Sequence, residues 1–250
     1  MKALILAAGY ATRMYPLTKD FPKPLLSIGR HSIIDFTIAK LEAAQEVDEI
    51  IIVTNSKFIP RFREWLKSVK SSKRLSLLDD LTKRKEDRRG AIGDMYFAVK
   101  KRRIQDNLLV VGGDNLFDSS LRDFLSFVKK FPDFPIVGAF DIQEKKAARQ
   151  YGVLSLDKKN RIVDFVEKPK KPNSTVVAMC LYYFPKSKLR LLDEYMCLKD
   201  QSHDASGCYI GWLSKRVTTK AFVFRGCWYD IGNPQFYKQA KKEFGRVCLW

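Results

Sequence analysis

The first 145 residues alternate short apolar runs with helix-patterned segments, and this alternation constrains the fold more than any other feature of the chain. The apolar runs KALILA, EIIIVT, NLLVV and FPIVGAF have the length and composition of buried strands. The intervening helical patterns are SIIDFTIAKLEAAQ, KFIPRFREWLKSV, a segment around DMYFAVKK, and LRDFLSFVKKF. Strands that alternate with helices predict a mostly parallel sheet covered on both faces. We therefore expect an α/β, doubly wound, Rossmann-like fold with helices on both faces of the sheet.

Two of these helical segments carry further local signals. Ser32 and Asp35 have the spacing of a capping box at the start of the first helix. In the second segment four apolar residues fall on one helical face, which indicates core packing: Phe58, Phe62, Trp65 and Val69.

The pattern changes after about residue 150. YGVLSLDKKNRIVDFVEKP alternates apolar and polar positions around a DKKN turn, which predicts a hairpin. TVVAMCLYYF and KAFVFRGCWYDIG read as further strands, and LRLLDEYM and NPQFYKQAKKEF as helices. Because no repeat or flexible linker appears, we predict one domain with a small antiparallel addition.

The charge balance favours anionic ligands. Lys and Arg total 46 against 28 Asp and Glu, a net charge of +18, which attracts phosphorylated small molecules, nucleic acid or anionic membrane surfaces. The charge runs lie near no RNP-like or helix-turn-helix signature, so we interpret them as solvated faces and expect no nucleic-acid partner. No apolar stretch approaches the roughly 20 residues that span a bilayer, so we expect a cytoplasmic protein without a membrane partner.

The residues of nucleophilic and zinc chemistry are sparse. The two histidines sit in no suggestive setting, which disfavours Ser-His-Asp and Cys-His mechanisms. The cysteines are odd in number and form no C-x-x-C pair, so we expect reduced thiols. These residues are His31, His203, Cys180, Cys197, Cys208, Cys227 and Cys248.

The loop LAAGYATRMYPLTKDFPKPLL, which follows the first strand, has the chemistry of an anion site. It does not match G-x-G-x-x-G, and G-x-x-x-x-G-K-[ST] is absent from the chain. The small residues Ala8 and Gly9 let backbone N–H groups approach a ligand closely. Arg13 and Lys23 supply the positive charge that a polyphosphate needs.

Two further segments contain candidate polar residues. Asp114 in VVGGDN and Asp230 in WYDIG could each bind a divalent cation shared with phosphate, or could simply close a turn. Glu167 and Lys168 in VEKPKKP could contact a ligand or form an exposed ion pair. The residues alone leave both questions open.

In order and spacing, these segments resemble the sugar-1-phosphate nucleotidylyltransferases, with the thymidylyl- and guanylyl-transferring enzymes most similar. The matching segments are LAAGYATRMYPLTKDFPKPLL, VVGGDN, Glu167–Pro169 and Trp228–Gly232. The resemblance extends from Met1 to about Tyr237. It implies the reaction NTP + sugar 1-phosphate → NDP-sugar + pyrophosphate, by in-line attack on the α-phosphate without a covalent intermediate.

The resemblance also implies a role for each candidate residue. Arg13 would hold the triphosphate and Lys23 the α-phosphate. Mg²⁺ is the expected cofactor. The remaining assignments are Asp114 and Asp230 for the metal, Lys168 for the phosphate of the sugar phosphate, Glu167 for a sugar hydroxyl, and Ala8, Gly9 and Gly93 for the base and ribose.

The predicted organisation is a single nucleotidyltransferase domain over 1–250. Residues 1–145 form its nucleotide-binding part and 146–245 its sugar-phosphate-binding part, and we expect no C-terminal β-helix. The expected small-molecule partners are the NTP and the sugar 1-phosphate. The oligomeric state, monomer or dimer, stays open.

Several residues depart from the family pattern. Ala11 replaces a loop glycine, so we expect backbone that avoids positive φ and a slightly different loop path. Cys180 stands where a glycine normally follows the sugar-pocket strand, and the larger side chain predicts a reshaped pocket. Asn233 stands where many relatives have Thr. The glutamine that reads a pyrimidine has no clear match, so the nucleobase is unassigned.

Three alternatives stay open. A related cytidylyltransferase would act on a phosphorylated alcohol such as choline or inositol phosphate. A catalytically silent regulator would bind nucleotide sugars without turnover. A basic nucleic-acid binder would show steep salt dependence and no metal-dependent activity.

Overall fold

The computed structural model describes residues 1–247 and 249. The strands in this part of the chain are β1 (Lys2–Leu6), β2 (Ser27–Ile28), β3 (His31–Ser32), β4 (Glu49–Thr54), β5 (Arg74–Asp79), β6 (Leu108–Gly112), β7 (Asn115–Phe117), β8 (Ile136–Asp141), β9 (Gly152–Leu156), β10 (Ile162–Glu167), β11 (Val176–Phe184), β12 (Lys220–Phe224) and β13 (Trp228–Asp230). The α-helices are α1 (Ile33–Glu42), α2 (Ile59–Ser68), α3 (Gly90–Lys101), α4 (Leu121–Lys130), α5 (Lys145–Ala148), α6 (Arg190–Met196), α7 (Ser206–Arg216) and α8 (Pro234–Phe244).

A central sheet organises the molecule. Its strands follow the order β10-β9-β11-β6-β1-β4-β5, and β8 pairs with both β11 and β12. Strands β6, β1, β4 and β5 are mutually parallel, as are β8 and β12. Strand β11 runs antiparallel to β6, β8 and β9, and the β9–β10 hairpin completes the antiparallel part. The predicted α/β class is confirmed.

Helices cover both faces of this sheet. Ala3 and Ile5 of β1 pack on one face with residues of α1, α2 and α4. Leu4 points to the other face, into a cluster with residues of α3, α6 and α7. Successive side chains of a strand point to opposite faces of the sheet. A strand that is buried on both faces therefore needs a continuous apolar sequence, and β1 has one.

The local signals of the first two helices are also present. Asp35 accepts a hydrogen bond from the Ser32 N–H (2.6 Å), the backbone half of a capping box. The aromatic residues Phe58, Phe62 and Trp65 pack into the core, as predicted. Trp65 also donates from Nε1 to the second oxygen of Asp35 (2.9 Å), which joins α2 to the start of α1.

The carboxyl ends of β1 and β6 lie side by side. Leu6 pairs in register with Gly112, and the Gly113 N–H donates to the Leu6 carbonyl (2.9 Å). A Cβ on Gly113 would stand 2.9 Å from that carbonyl oxygen, so this approach requires glycine. The two loops therefore leave the same edge of the sheet, which is where ligands of parallel α/β sheets bind.

The sequence did not predict six of these elements, the short strands β2, β3 and β7 together with β5, α5 and α7. Strand β5 lies at the edge of the sheet beside β4 and is only partly buried, so its sequence reads as a charged connection. Helix α7 contains Gly207 and Gly211, which weaken the helical signal. Helix α5 has only four residues.

The part of the chain that the structure describes also answers two compositional questions. None of its helices is long and apolar enough to cross a membrane. Four of the cysteines, Cys180, Cys197, Cys208 and Cys227, are free thiols, as expected. Cys248 lies outside the described residues.

The expectation for Ala11 is wrong, because this residue adopts the left-handed region (φ 47°, ψ 42°). Its carbonyl accepts hydrogen bonds from the Met14 N–H (2.9 Å) and the Thr18 hydroxyl (2.8 Å). The side chains of Met14 and Thr18 are both buried. These anchors hold a non-glycine residue in a conformation that ordinarily costs about 1–2 kcal/mol.

Ala11→Gly is expected to raise the free energy of unfolding by about 1 kcal/mol, because relief of the left-handed strain exceeds the added entropy of the unfolded chain. Chemical denaturation measures the difference. Ala39→Gly, inside α1, is the matched control and should lower stability by about 0.5–1 kcal/mol. An Ala11→Gly protein that loses as much stability as this control contradicts the strain argument.

Candidate active site

A cleft of about 500 Å³ opens at the edge where β1 and β6 end. Most of the predicted site residues line it, although they come from distant parts of the sequence. These residues are Ala8, Gly9, Arg13, Lys23, Asp114, Glu167, Lys168 and Asp230.

Gly93 is placed differently from the other candidates. It is buried inside α3, where an added Cβ would stand 2.9 Å from the Cβ of Arg89. Helix α3 instead lines the cleft with Gly90, Ala91 and Asp94. Positions 90 and 94 are one helical turn apart and therefore share a face, whereas position 93 does not line the cleft.

Side chains at the end of β4 hold the start of the loop that follows β1. The Asn55 side-chain amide donates to the Ala8 carbonyl (2.8 Å), and the Thr54 hydroxyl donates to the Ala7 carbonyl (3.1 Å). Gly9 is exposed, with open space where a side chain would be. The backbone at this turn is thus rigid on its protein side and open toward the cleft.

Lys23 and Asp114 form an ion pair within the cleft. Lys23 lies in a 3₁₀ turn (Lys23–Leu25), and Asp114 follows the end of β6. Burial acts to raise the pKa of Asp114, but the charge and hydrogen bond of Lys23 outweigh it and hold the pKa below its usual value. The Asp114 carboxylate is therefore ionised.

A two-stranded ladder brings Asp230 to Asp114. Strand β13 pairs antiparallel with β7, with Asp230 opposite Asn115, and the Ile231 N–H donates to the Asp114 carbonyl (3.3 Å). Burial, and then the neighbouring Asp114 charge, raise the pKa of Asp230 to about 6. Two carboxylates in one low-dielectric site favour a bound cation.

The donor chemistry of this pair fits Mg²⁺. Carboxylate oxygens are hard ligands, and Mg²⁺ sites often use one or two carboxylates together with phosphate oxygens and water. Among residues 1–247 and 249, no group of three or more His, Cys, Asp or Glu side chains is arranged to hold a metal. Asp114 and Asp230 thus offer a pair of carboxylate ligands whose chemistry suits the ion.

Glu167 and Lys168 stand on the antiparallel side of the cleft, at the end of β10. Burial raises the pKa of Glu167, and Lys168 partly opposes this shift from 3.9 Å. The Glu167 carboxylate lies against two glycines. A Cβ would stand 1.8 Å from its Oε2 at Gly207 and 2.9 Å at Gly152, so both residues must lack a side chain for Glu167 to lie there.

Cys180 lies within β11, inside the strand predicted over TVVAMCLYYF, at an irregularity of that strand. The pairing register of β11 shifts between Ala178 and Leu181, and Cys180 lies in this irregularity with φ of 52°. Its side chain lines the cleft, with Sγ 3.9 Å from the Ser206 hydroxyl. Burial raises the pKa of the thiol to about 12, so this cysteine is protonated at neutral pH and is no nucleophile.

Asn233 keeps a structural role that Thr would also fill. Its side-chain oxygen accepts from the Phe236 N–H (2.9 Å), which caps α8. Asn and Thr are both good helix caps. The residue also lines the cleft.

Several polar groups of the site were not predicted from the sequence. Asp94 is buried in α3 and, with Tyr10, lines the end of the cleft near β4 and β5. Burial first, and then Asp80, raise the pKa of Asp94 to about 8. A sequence signal existed: Asp94 falls between apolar residues of a helix, where an acidic side chain is unusual.

At the mouth of the cleft, a second missed feature joins the two halves of the chain. Arg88 donates from Nε and Nη2 to the two carboxylate oxygens of Asp204, both at 3.0 Å. The Asp204 and His203 carbonyls accept from the first amides of α3, Ala91 (3.1 Å) and Ile92 (3.0 Å). The segment before α7 thus caps the helix that begins at Gly90.

The cleft is lined by equal numbers of basic and acidic residues, despite the +18 of the whole chain. The lining cations are Arg13, Lys23, Lys85, Arg88 and Lys168, and the lining acids are Asp94, Asp114, Glu167, Asp204 and Asp230. The excess positive charge therefore lies outside the cleft, so binding there depends on the placement of charges rather than on net charge.

Comparison with known proteins establishes the family. The model of the nucleotidyl transferase family matches residues 2–246, and the chain belongs to that family. A curated relative, the bifunctional protein GlmU of Methanocaldococcus jannaschii, is 28% identical over 244 residues, 97% of this chain and 54% of the relative. The chain thus spans about half the length of that relative. The resemblance read from the sequence motifs is confirmed at the level of the family.

Solved structures share the fold at low sequence identity. One was described as a glucose-1-phosphate thymidylyltransferase of Bacillus anthracis in complex with a sucrose. It has a TM-score of 0.81 and 21% identity, covering 99% of this chain and 96% of that one. A UDP-glucose pyrophosphorylase complexed with UDP-glucose also gives a TM-score of 0.81 and 21% identity, covering 97% of each chain.

The raised pKa of Asp94 predicts a pH dependence of stability. The unfolded chain releases this proton above about pH 4, whereas the native state keeps it until about pH 8. The native state binds more protons in this window, so stability falls as the pH rises through it. Asp80, whose pKa is also raised, adds in the same direction, and Arg89 opposes both.

Asp94→Asn should remove the Asp94 contribution to this fall. Denaturation of both proteins between about pH 5 and pH 9 measures it: the variant should gain stability relative to the parent as the pH rises. Asp133→Asn, an exposed acid outside the cleft, is the control and should run parallel to the parent. Parallel curves for Asp94→Asn would show that Asp94 is ionised throughout this range.

Proposed function

We propose that the protein transfers a nucleotidyl group from an NTP to a sugar 1-phosphate and releases pyrophosphate. One observation carries this proposal: a single cleft is lined by the loop with Arg13 and Lys23, by the Asp114–Asp230 pair and by Glu167–Lys168. A transfer between two phosphorylated substrates needs an anion cradle, a point of charge neutralisation and an acceptor pocket within reach of one another.

The sheet order arranges these three parts in sequence. Asp114 follows β6 in the middle of the sheet, Glu167 ends β10 at one side, and β4 and β5 lie at the other. The acceptor would therefore bind toward β9 and β10, the triphosphate near the middle, and the nucleoside toward β4 and β5.

Arg13 and Lys23 would act on the triphosphate. Arg13 lies exposed in a 3₁₀ turn (Thr12–Met14) and can form paired hydrogen bonds with phosphate oxygens. Lys23 would turn from Asp114 toward the α-phosphate and stabilise the charge that develops as the bond to pyrophosphate breaks. The amides near Ala8 and Gly9 can donate to the nucleotide, because their backbone is open to the cleft.

Asp114 and Asp230 would hold Mg²⁺, which when bound supplies charge neutralisation and polarises the α-phosphate. With a cation held there, Asp114 would no longer need Lys23 as its counter-charge. The Lys23 ammonium would then be available to the substrate. The two carboxylates otherwise position the ion and take no part in proton transfer.

Glu167 and Lys168 would bind the acceptor. The Lys168 ammonium would attract the phosphate of the sugar phosphate, and the Glu167 carboxylate would accept from a sugar hydroxyl. An oxygen of the sugar phosphate then attacks the α-phosphorus, and the bond from that phosphorus to the bridging oxygen of pyrophosphate breaks. Because the attacking oxygen is already ionised, the step needs no general base.

Pyrophosphate release tests this proposal. Purified protein with Mg²⁺ is assayed over a grid of the common NTPs and dTTP against several sugar 1-phosphates, choline phosphate and inositol phosphate. We expect activity with at least one sugar 1-phosphate. Asp114→Asn should lower kcat/KM by about 10²-fold or more, since it removes a charge that acts at the reacting phosphate.

Asp133→Asn is the matched control and should keep the parent activity, because this exposed acid lies outside the cleft. Activity that appears only with an alcohol phosphate would replace the sugar acceptor by that alcohol. Silence over the whole grid would contradict the proposal, and so would full activity of Asp114→Asn.

A further inference from the structure

The end of the cleft near β4 and β5 contains two buried polar side chains that the mechanism above leaves without a role. Tyr10 and Asp94 both line the cleft, and each residue is only 6% exposed. The Tyr10 hydroxyl and Asp94 Oδ1 are buried without a hydrogen-bond partner. Unpaired buried polar atoms each cost about 1–3 kcal/mol, so two of them beside one cleft point to a ligand.

The neighbours of Asp94 are engaged elsewhere. Asp80 accepts from the Thr82 N–H (2.7 Å) and the Thr82 hydroxyl (2.8 Å). Arg89 donates from Nε to the Asp80 carbonyl (2.7 Å), and its guanidinium lies 4.4 Å from the centre of the Phe97 ring. The cation nearest in sequence therefore forms no ion pair with Asp94.

The contact between Asp94 and Asp80 determines what Asp94 can offer a ligand. Burial first, and then Asp80, raise the pKa of Asp94 to about 8, and the pKa of Asp80 is raised as well, so Asp94 keeps its proton at neutral pH. That proton can be donated to Asp80. The remaining oxygen of Asp94 is then a hydrogen-bond acceptor, while the Tyr10 hydroxyl is a free donor.

The place of this pair in the fold indicates which part of the substrate it meets. Asp80 follows β5 directly, and its N–H donates to the Thr54 carbonyl (2.8 Å) at the end of β4. Asp94 therefore lies on the opposite side of Asp114 from Glu167. On the proposed function, on which this inference rests, the nucleoside of the NTP binds there.

We propose that Asp94 is a residue that determines nucleobase specificity. It accepts a hydrogen bond from an N–H of the base, and Tyr10 donates to an acceptor beside it. A base that presents a carbonyl to Asp94 leaves both acceptors unpaired, which is the strong way to reject a ligand. The shared chemistry is an N–H donor, which is an exocyclic amino group in adenine and cytosine and a ring imino group in uracil and thymine.

Nucleotide titration tests this proposal without the acceptor. The dissociation constants of ATP, CTP, GTP, ITP, UTP and dTTP are measured for the parent, Asp94→Leu and Asp94→Asn, and kcat/KM is measured over the same set. In Asp94→Leu the dissociation constant of the preferred nucleotide should rise by about tenfold or more, because a buried hydrogen bond is lost. The dissociation constants of the other nucleotides should change little, so the six values should differ less from one another than in the parent protein.

Asp94→Asn provides the second arm. Its amide can donate as well as accept, so nucleotides that present a carbonyl should gain relative to the preferred one. A preference for CTP over UTP, or for ATP over ITP, would identify an amino group as the donor. A preference for UTP, dTTP or ITP would identify an imino group.

Asp79→Asn is the matched control. Asp79 is also an acid at the end of β5, but it accepts from the Ser56 hydroxyl (2.7 Å) and the Leu81 N–H (2.8 Å) and does not line the cleft. Its nucleotide ranking should equal that of the parent, and the KM for the sugar phosphate should be unchanged in all variants. If both Asp94 variants alter all six nucleotides by one common factor, or none of them, Asp94 has only a structural role and the proposal fails.

The binding data separate this inference from the proposed function. One outcome is that the protein releases no pyrophosphate while Asp94→Leu still reduces the differences among the nucleotide dissociation constants. That result would contradict the proposed reaction but support Asp94 as the specificity residue. An active protein whose ranking does not respond to Asp94 would keep the reaction and overturn the specificity residue.

Discussion

The site depends on the close approach of β1 and β6 at their carboxyl ends. Gly113 makes this approach possible, since its N–H bonds to the Leu6 carbonyl and any side chain would collide with that oxygen. The approach sends the loop with Lys23 and the turn with Asp114 into the same cleft, where the two residues form an ion pair. A shift of either strand by one residue would turn its side chains to the opposite face of the sheet and separate this pair.

The second half of the chain adds the other side of the cleft to this centre. The β7–β13 ladder delivers Asp230 beside Asp114, and the β9–β10 hairpin delivers Glu167 across the cleft. The ion pair between Arg88 and Asp204 then joins the two halves over the mouth of the cleft.

Much of the fold and site could be predicted from the sequence, because the signals were local. The parallel strands are continuous apolar runs, and Arg13, Lys23, Asp114 and Glu167 follow strand ends within recognisable motifs. Strand β5 and helix α7 were not predicted, because tertiary packing rather than local sequence stabilises them. The first is a partly buried edge strand and the second contains two glycines.

The remaining features depend on tertiary contacts that no local pattern contains. The left-handed conformation of Ala11 is held by Thr18, and that of Cys180 by a register shift in β11. The sequence predicted that Gly93 would line the cleft, but Asp94 of the same helix does so. The sequence alone did not show which face of α3 points toward the cleft. Asp80, the neighbour of Asp94, directly follows β5, a strand that the sequence did not predict.

The central claim is a direct, single displacement at the α-phosphorus inside one cleft. The stereochemistry at that phosphorus tests it most directly. An NTP of defined configuration, with sulfur in place of one α-phosphate oxygen, is converted with the acceptor, and the configuration of the product is determined by ³¹P NMR. One in-line attack predicts inversion. Retention would show two displacements and a covalent nucleotidyl-enzyme intermediate, and would contradict the account.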